Sequence, residues 1–138
     1  MGARLATAAA LLTPGTPLSA IYYACTSASA VIGDEAIDRA IGASQPGIPI
    51  VTPTRAARIA FKAMGVHRIA LVTPYIEATA VPMIAYFGSH GIEVTSALCF
   101  GFEDDRVLAR ISPASPVAAT PQDDIAAADA RLLTCPCP

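Results

Sequence analysis

Apolar and polar positions along this chain fall into blocks rather than alternating residue by residue. The largely apolar runs at 18–24, 47–51 and 68–72, and the segments 92–98 and 131–134, read as strands. The run at 68–72 is the clearest, and its lack of alternation implies a strand covered on both faces, as in a parallel sheet. Between these runs lie stretches with helical spacing. Residues 2–12 predict a helix closed by the Thr13-Pro14-Gly15-Thr16-Pro17 turn. Gly33-Asp34-Glu35 opens another, with acids in the first turn where the helix dipole favours them. Thr52 and Pro53 supply an N-cap and a proline at the first helical position for a helix over 54–64, and Gly65 is its C′ residue. Residues 76–90 predict a further helix stopped by Gly91, in which Pro82 kinks the helix or marks its true beginning. A short helix over 103–110 follows, prolines interrupt 112–121, and 125–130 regains helical character.

Strands and helices succeeding one another at spacings of roughly 20–30 residues predict an α/β fold, parallel sheets flanked by helices and built from βαβ units. Ligands in such sheets bind outside the carboxyl ends of the strands. Three of the predicted strand ends carry chemistry: Cys25-Thr26-Ser27, Thr73-Pro74-Tyr75 and Thr134-Cys135. The first sets a single thiol in a turn of hydroxyl residues just ahead of a helical pattern. Backbone N–H groups and the positive end of a helix dipole at such a place favour anions and thiolates. The bland alternative for Cys25 is a buried structural cysteine. Two thiols at facing strand ends suit proton abstraction next to a carboxylate by one and proton return by the other. They equally suit covalent addition by one with the other as proton donor. Thr26, Ser27 and Thr73 offer hydroxyls to a carboxylate and Tyr75 a phenol, against a reading of Tyr75 as a packing residue.

Composition narrows this picture. The chain has 138 residues, 54% hydrophobic and 14% charged, with a net charge of −2 and no Trp. That length supports a real core. The balance leaves no basic patch or stacking platform for nucleic acid. No apolar run approaches the roughly 20 residues of a membrane helix. Four scattered cysteines do not resemble a disulfide framework, which favours a reducing cytoplasm. Arg4 followed by 5–12 also passes for a short signal peptide, although an Ala-rich amphipathic helix fits the same residues. Cys135 and Cys137 alone make a weak half of a metal site. Cys99 reads as core, and His67 and His90 as histidines at helix ends meeting last-turn carbonyls. Glu103-Asp104-Asp105-Arg106 reads as a solvated first turn, and no phosphate or dinucleotide fingerprint is present.

The segments Tyr23 through Gly33, Thr52-Pro53, Arg68 through Tyr75 and Glu103 through Pro113 resemble one known group. It is the maleate cis-trans isomerase and arylmalonate decarboxylase branch of the aspartate/glutamate racemase superfamily. The stretch 103–115 looks most like the ectoine-utilisation proteins. The resemblance implies a pseudo-symmetric racemase-like fold of two α/β halves, here incomplete: 1–64 with Cys25 and 65–138 ending at Cys135. It makes Cys25 the first-half nucleophile or base and Cys135 the second thiol, with Tyr75 holding a substrate carboxylate. It also implies a small carboxylic or amino acid substrate, isomerase- or racemase-type chemistry, and no metal or organic cofactor. The chain departs from the pattern at Arg106, where the isomerases carry asparagine, and at both ends, where it looks truncated. Missing strands would leave unpaired sheet edges, which favours instability or association into a homo-oligomer. Two other readings stand beside this one. One is an inactive remnant that binds a small anion or oligomerises; the other is a flavodoxin-like or periplasmic-type binding domain with its ligand away from Cys25.

Overall fold

The computed structural model describes residues 2–112, 114–118 and 127–134. They form two compact units, 1–56 and 57–138. All strand pairings are parallel, as the unalternating apolar runs predict.

In the first unit, α1 (Gly2–Ala10) packs on α3 (Asp34–Gly42), and β1 (Ile21–Tyr22) pairs with β2 (Ile50–Val51). Ala9, Ile21, Ile37 and Ile41 are its buried centre, ringed by Leu5, Leu18, Tyr23, Ile32, Ile48 and Ile50. Ser44 Oγ donates to the Ala6 carbonyl and Gln45 Nε2 to that of Ala9, both at 2.9 Å, so α1's late carbonyls are satisfied from outside the helix. The strand expected over 18–24 shrinks to two residues because its partner has only two to offer. The Thr-Ser turn expected after Cys25 is instead a helix, α2 (Thr26–Ile32), which begins at once. Hydroxyl residues are at home in a first turn, where they relieve unpaired N–H groups. Gly33, at φ +81, then separates α2 from α3.

A polar network closes this unit. Arg55, on α4 (Pro53–Met64), donates from Nη1 and Nη2 to Asp38 at 3.1 and 2.7 Å, and from Nη1 to the Ile50 carbonyl at 2.8 Å. Its Nε lies 3.5 Å from Asp34. The hydrogen bond to Asp38 raises Arg55 further above its ordinary value. Thr52, fully buried, donates to Asp34 at 3.0 Å and accepts the Arg55 N–H at 3.2 Å. It is thus the N-cap that the sequence predicts. At the other end of α4, Gly65 at φ +68 lets Val66 N–H reach the Phe61 carbonyl at 2.9 Å, a Schellman stop.

The second unit is centred on β3 (Arg68–Tyr75), flanked by β4 (Glu93–Phe102) and β5 (Ala130–Leu133) in the order β4-β3-β5. Ile69 through Val72 are each at most 2% exposed. α5 (Glu77–Ser89) packs on β4 and runs through Pro82, which lacks the N–H that would meet the Ala78 carbonyl. Phe87 meets Phe61 and Tyr86 edge-to-face at 6.2 and 5.4 Å. His90 Nδ1 lies 2.7 Å from the Tyr86 carbonyl, the last-turn contact that its position predicts. Two register shifts mark β4. At the first, Thr95 is the extra residue and its hydroxyl donates to the Ile69 carbonyl at 3.2 Å. At the second, Gly101 takes φ +76. β5 is held at its start by Asp129, whose carboxylate accepts the His67 and Arg68 N–H groups at 3.1 and 2.9 Å.

The helix expected over 103–110 is a single turn, α6 (Asp105–Leu108), and α7 (Ala114–Ala118) follows. The helical character expected over 125–130 is not found in its described part. Residues 127–129 form a turn and bend, and Ala130 already belongs to β5, where pairing with Ile69 overrides the helix preference of alanine. No helix among the described residues is long and apolar enough to cross a membrane.

Candidate functional site

The expected site residues fall into two described groups, one in each unit. In the first, Cys25 stands in extended backbone (φ −136, ψ 107) as the residue before α2. Its carbonyl accepts both the N–H of Ser29, at 3.0 Å, and the Ser29 hydroxyl, and Ser29 is fully buried. Its own N–H donates to the Tyr23 carbonyl at 2.9 Å. The backbone is therefore fixed on both sides of the thiol. The sulfur itself makes no cap hydrogen bond to the helix and lies 3.8 Å from Ser27 Oγ. Cys25, Thr26 and Ser27 are all half-buried. The arrangement gathers a thiol, two hydroxyls and the open N–H groups of a first helical turn. Burial, and then the nearby Cys25, hold the Tyr23 phenol above its ordinary value.

In the second unit, Thr73, Pro74 and Tyr75 close β3 at its carboxyl end. Thr73 is fully buried and its Oγ1 accepts the Tyr75 N–H at 3.4 Å; Pro74 is buried and Tyr75 half-buried. On the neighbouring strand, Thr134 N–H donates to the Val72 carbonyl at 2.9 Å, and the Thr134 hydroxyl reaches the same oxygen at 3.4 Å. Thr73–Tyr75 and Thr134 thus share one edge of one sheet. Cys135 and Cys137 lie outside the described residues.

Cys99 is a thiol that the sequence reading assigned to the core. It sits directly across from Thr73 on β4 and is half-buried rather than enclosed. Burial, followed by the charge of Glu77, pushes this thiol up. The signal that points to it is topological: in a βαβ unit the second strand ends on the same edge as the first. The turn at 103–106 is solvated as expected, with Asp104 accepting Arg106 N–H at 2.9 Å and pairing its guanidinium at 3.0 Å. Among the described residues no three His, Cys, Asp or Glu side chains gather as a metal cage.

The family model for arylmalonate decarboxylase matches residues 4–137. No curated protein matches the chain in sequence. Among solved structures, the maleate isomerase Iso from Pseudomonas putida S16 is 23% identical with a TM-score of 0.70, over 98% of this chain and 54% of that one. An arylmalonate decarboxylase is 24% identical with a TM-score of 0.72, over 98% and 57%. A cysteine-to-serine mutant of the Nocardia farcinica maleate cis-trans isomerase, with a covalently bound succinylcysteine intermediate, is 20% identical with a TM-score of 0.69, over 85% and 51%. The chain spans about half the length of these structures. The α/β arrangement of parallel sheets flanked by helices is theirs.

Proposed function

The chain belongs to the arylmalonate decarboxylase family, and on that premise we propose that it is a cofactor-independent isomerase- or racemase-like enzyme for a small carboxylic or amino acid. The observation that carries this reading is the thiol of Cys25, standing just before α2 with Ser27 beside it, inside the matched stretch. Cys25 serves as nucleophile or base and Cys135 as the second thiol. Thr26, Ser27, Thr73, Pro74 and Tyr75 hold the substrate's carboxylates. A maleate-isomerase-like reaction, or a step in ectoine breakdown, is the finer assignment.

For a cis-enedioate the electrons balance as follows. The Cys25 thiolate adds to one alkene carbon, forming a C–S bond while the π pair moves to the other carbon, next to its carboxylate. The second thiol protonates that carbon or shields it. Rotation about the former double bond, return of the added proton to the second thiol where one was taken up, and departure of sulfur with the C–S pair as the carbon pair re-forms the π bond release the trans isomer and the Cys25 thiolate. For a racemisation one thiolate removes the proton next to the carboxylate and the opposite thiol supplies one to the other face. The succinylcysteine in the Nocardia farcinica relative supports the covalent version for that enzyme.

Alkylation with iodoacetamide at neutral pH, followed by peptide mass analysis, tests the reading. Cys25 is expected to react fast, to be protected by maleate or succinate, and to be required for maleate turnover, so that Cys25→Ser is inactive. A slow, unprotected Cys25 with no turnover on carboxylates overturns it in favour of a protein that binds a small anion or oligomerises without catalysis.

A further inference from the structure

The two flanks of the second unit's sheet are guarded very differently. Among the described residues β4 and β5 are its outer strands. An outer strand presents a row of unpaired N–H and C=O groups, and proteins blunt it with short length, charge, proline or bulges. β5 has four residues and carries the exposed Arg131. β4 has ten, and from Val94 to Phe102 it contains neither a charged residue nor a proline. Its two register shifts bend the ends only, leaving Ser96 through Cys99 in unbroken register with Ala70 through Thr73.

Hydrogen bonding along β3 determines which backbone groups of that stretch face outward. The Arg68 and Val72 carbonyls accept the N–H groups of Asp129 and Thr134 on the β5 side, at 2.8 and 2.9 Å. The His67 and Ile69 carbonyls accept the Glu93 N–H and the Thr95 hydroxyl on the β4 side. Bonding residues alternate along a parallel pair. Ser96 and Leu98, level with Ala70 and Val72, therefore turn their N–H and C=O groups to β3. Ala97 and Cys99, level with Leu71 and Thr73, turn theirs away from it. The Ala97 side chain is exposed and that of Cys99 half-buried.

Two outward residues with one between them are complementary to themselves. A second copy, turned about a twofold axis beside Leu98, lays its own 97–99 antiparallel to this stretch. Ala97 then exchanges both backbone hydrogen bonds with the partner's Cys99, and Cys99 does the same with the partner's Ala97. Leu98 meets the partner's Leu98 at a non-hydrogen-bonded position, where side chains approach most closely. Ser96 falls opposite the partner's Phe100 on the same face. The same patch serves both molecules, the form that twofold dimers take, and the contact closes at two chains. A foreign strand would satisfy the same backbone groups, but β4 has no charged side chain between 94 and 102 with which to select one. A net charge of −2 opposes self-pairing little.

We propose that the outer edge of β4 is a homodimer interface, an antiparallel β4–β4 pairing centred on Leu98 that joins two three-stranded sheets into one. It calls on none of the residues given roles in the function proposed above, so the two stand or fall separately.

Sedimentation velocity of the full chain over a range of concentrations, with amide hydrogen exchange read by NMR, tests this. A reversible passage from one chain to two is expected. The Ala97 and Cys99 amides should gain protection as the dimer forms, while the Leu98 amide is protected throughout. Ala97→Pro removes an outward N–H and no bond to β3, a position where an edge strand tolerates proline. It is expected to weaken dimerisation about tenfold or more. Ala97→Lys, at an exposed side chain, sets a cation on the edge without touching the ladder and is expected to act in the same direction. A chain that stays single up to about 1 mM overturns the proposal. So does a dimer indifferent to both substitutions, growth beyond two chains, or protection of the Ala97 and Cys99 amides in the monomer.

Discussion

Arg55 shows how much one side chain can organise without touching a candidate site. It joins two acids of α3 to the carbonyl of β2 and to the start of its own helix, while only 19% exposed. Replacing it by Met leaves Asp34 largely buried without its cation, which costs about 2–3 kcal/mol. A lower urea midpoint at unchanged slope measures that loss. Asp38→Asn is expected to cost less, because the Asp34 and Ile50 contacts survive. Asp129 gives the matching statement about pH. Hydrogen bonds from the His67 and Arg68 N–H groups hold its carboxyl below the ordinary carboxylate value. A depressed acid contributes its stabilisation above the unfolded-state value, about 4, and loses it as pH falls through the lower folded value. The amide proton shifts of His67 and Arg68 should therefore titrate together with a midpoint below about 4, and Asp129→Asn should abolish that titration. Neither role is legible in sequence. Asp34 and Asp38 read as ordinary helix acids, and nothing local ties Arg55 or Asp129 to partners 17 and 61 positions away.

Elements with strong local chemistry were legible, and those defined by a partner were not. The Thr52-Pro53 start and Gly65 stop of α4 are written in three residues, and the structure has both. β3 was read from its unbroken apolar run, Ile69 through Val72. β1, by contrast, is as short as β2 allows, and β4 extends four residues past the expected end at Leu98 because β3 continues beside it. α2 was hidden since threonine and serine after a cysteine read as loop. Gly101 belongs here too: no sequence pattern marks a bulge. At φ +76 a Cβ costs about 1–2 kcal/mol, although open space surrounds the position. Gly101→Ala is therefore expected to lower the denaturation midpoint through backbone strain alone.

At the scale of the whole molecule, the parallel α/β class was legible because burial on both faces erases alternation. The candidate site was legible in part. Cys25, Thr26 and Ser27 are neighbours in sequence, and Thr73–Tyr75 and Thr134 were read as strand ends of one parallel sheet, which their pairing bears out. Cys99 was missed because its flanking residues are apolar on an edge strand. The sheet order has a further consequence, for how the chain reaches this state. β3 and β4 contact across 26 positions, whereas β3 and Thr134 meet across 62. Closing the longer loop costs more entropy before any contact repays it. The β3–α5–β4 crossover unit is thus the natural folding nucleus, and β5 docks after the barrier. Leu132→Ala should accordingly accelerate unfolding while leaving the refolding rate nearly unchanged, and Leu71→Ala should slow refolding itself.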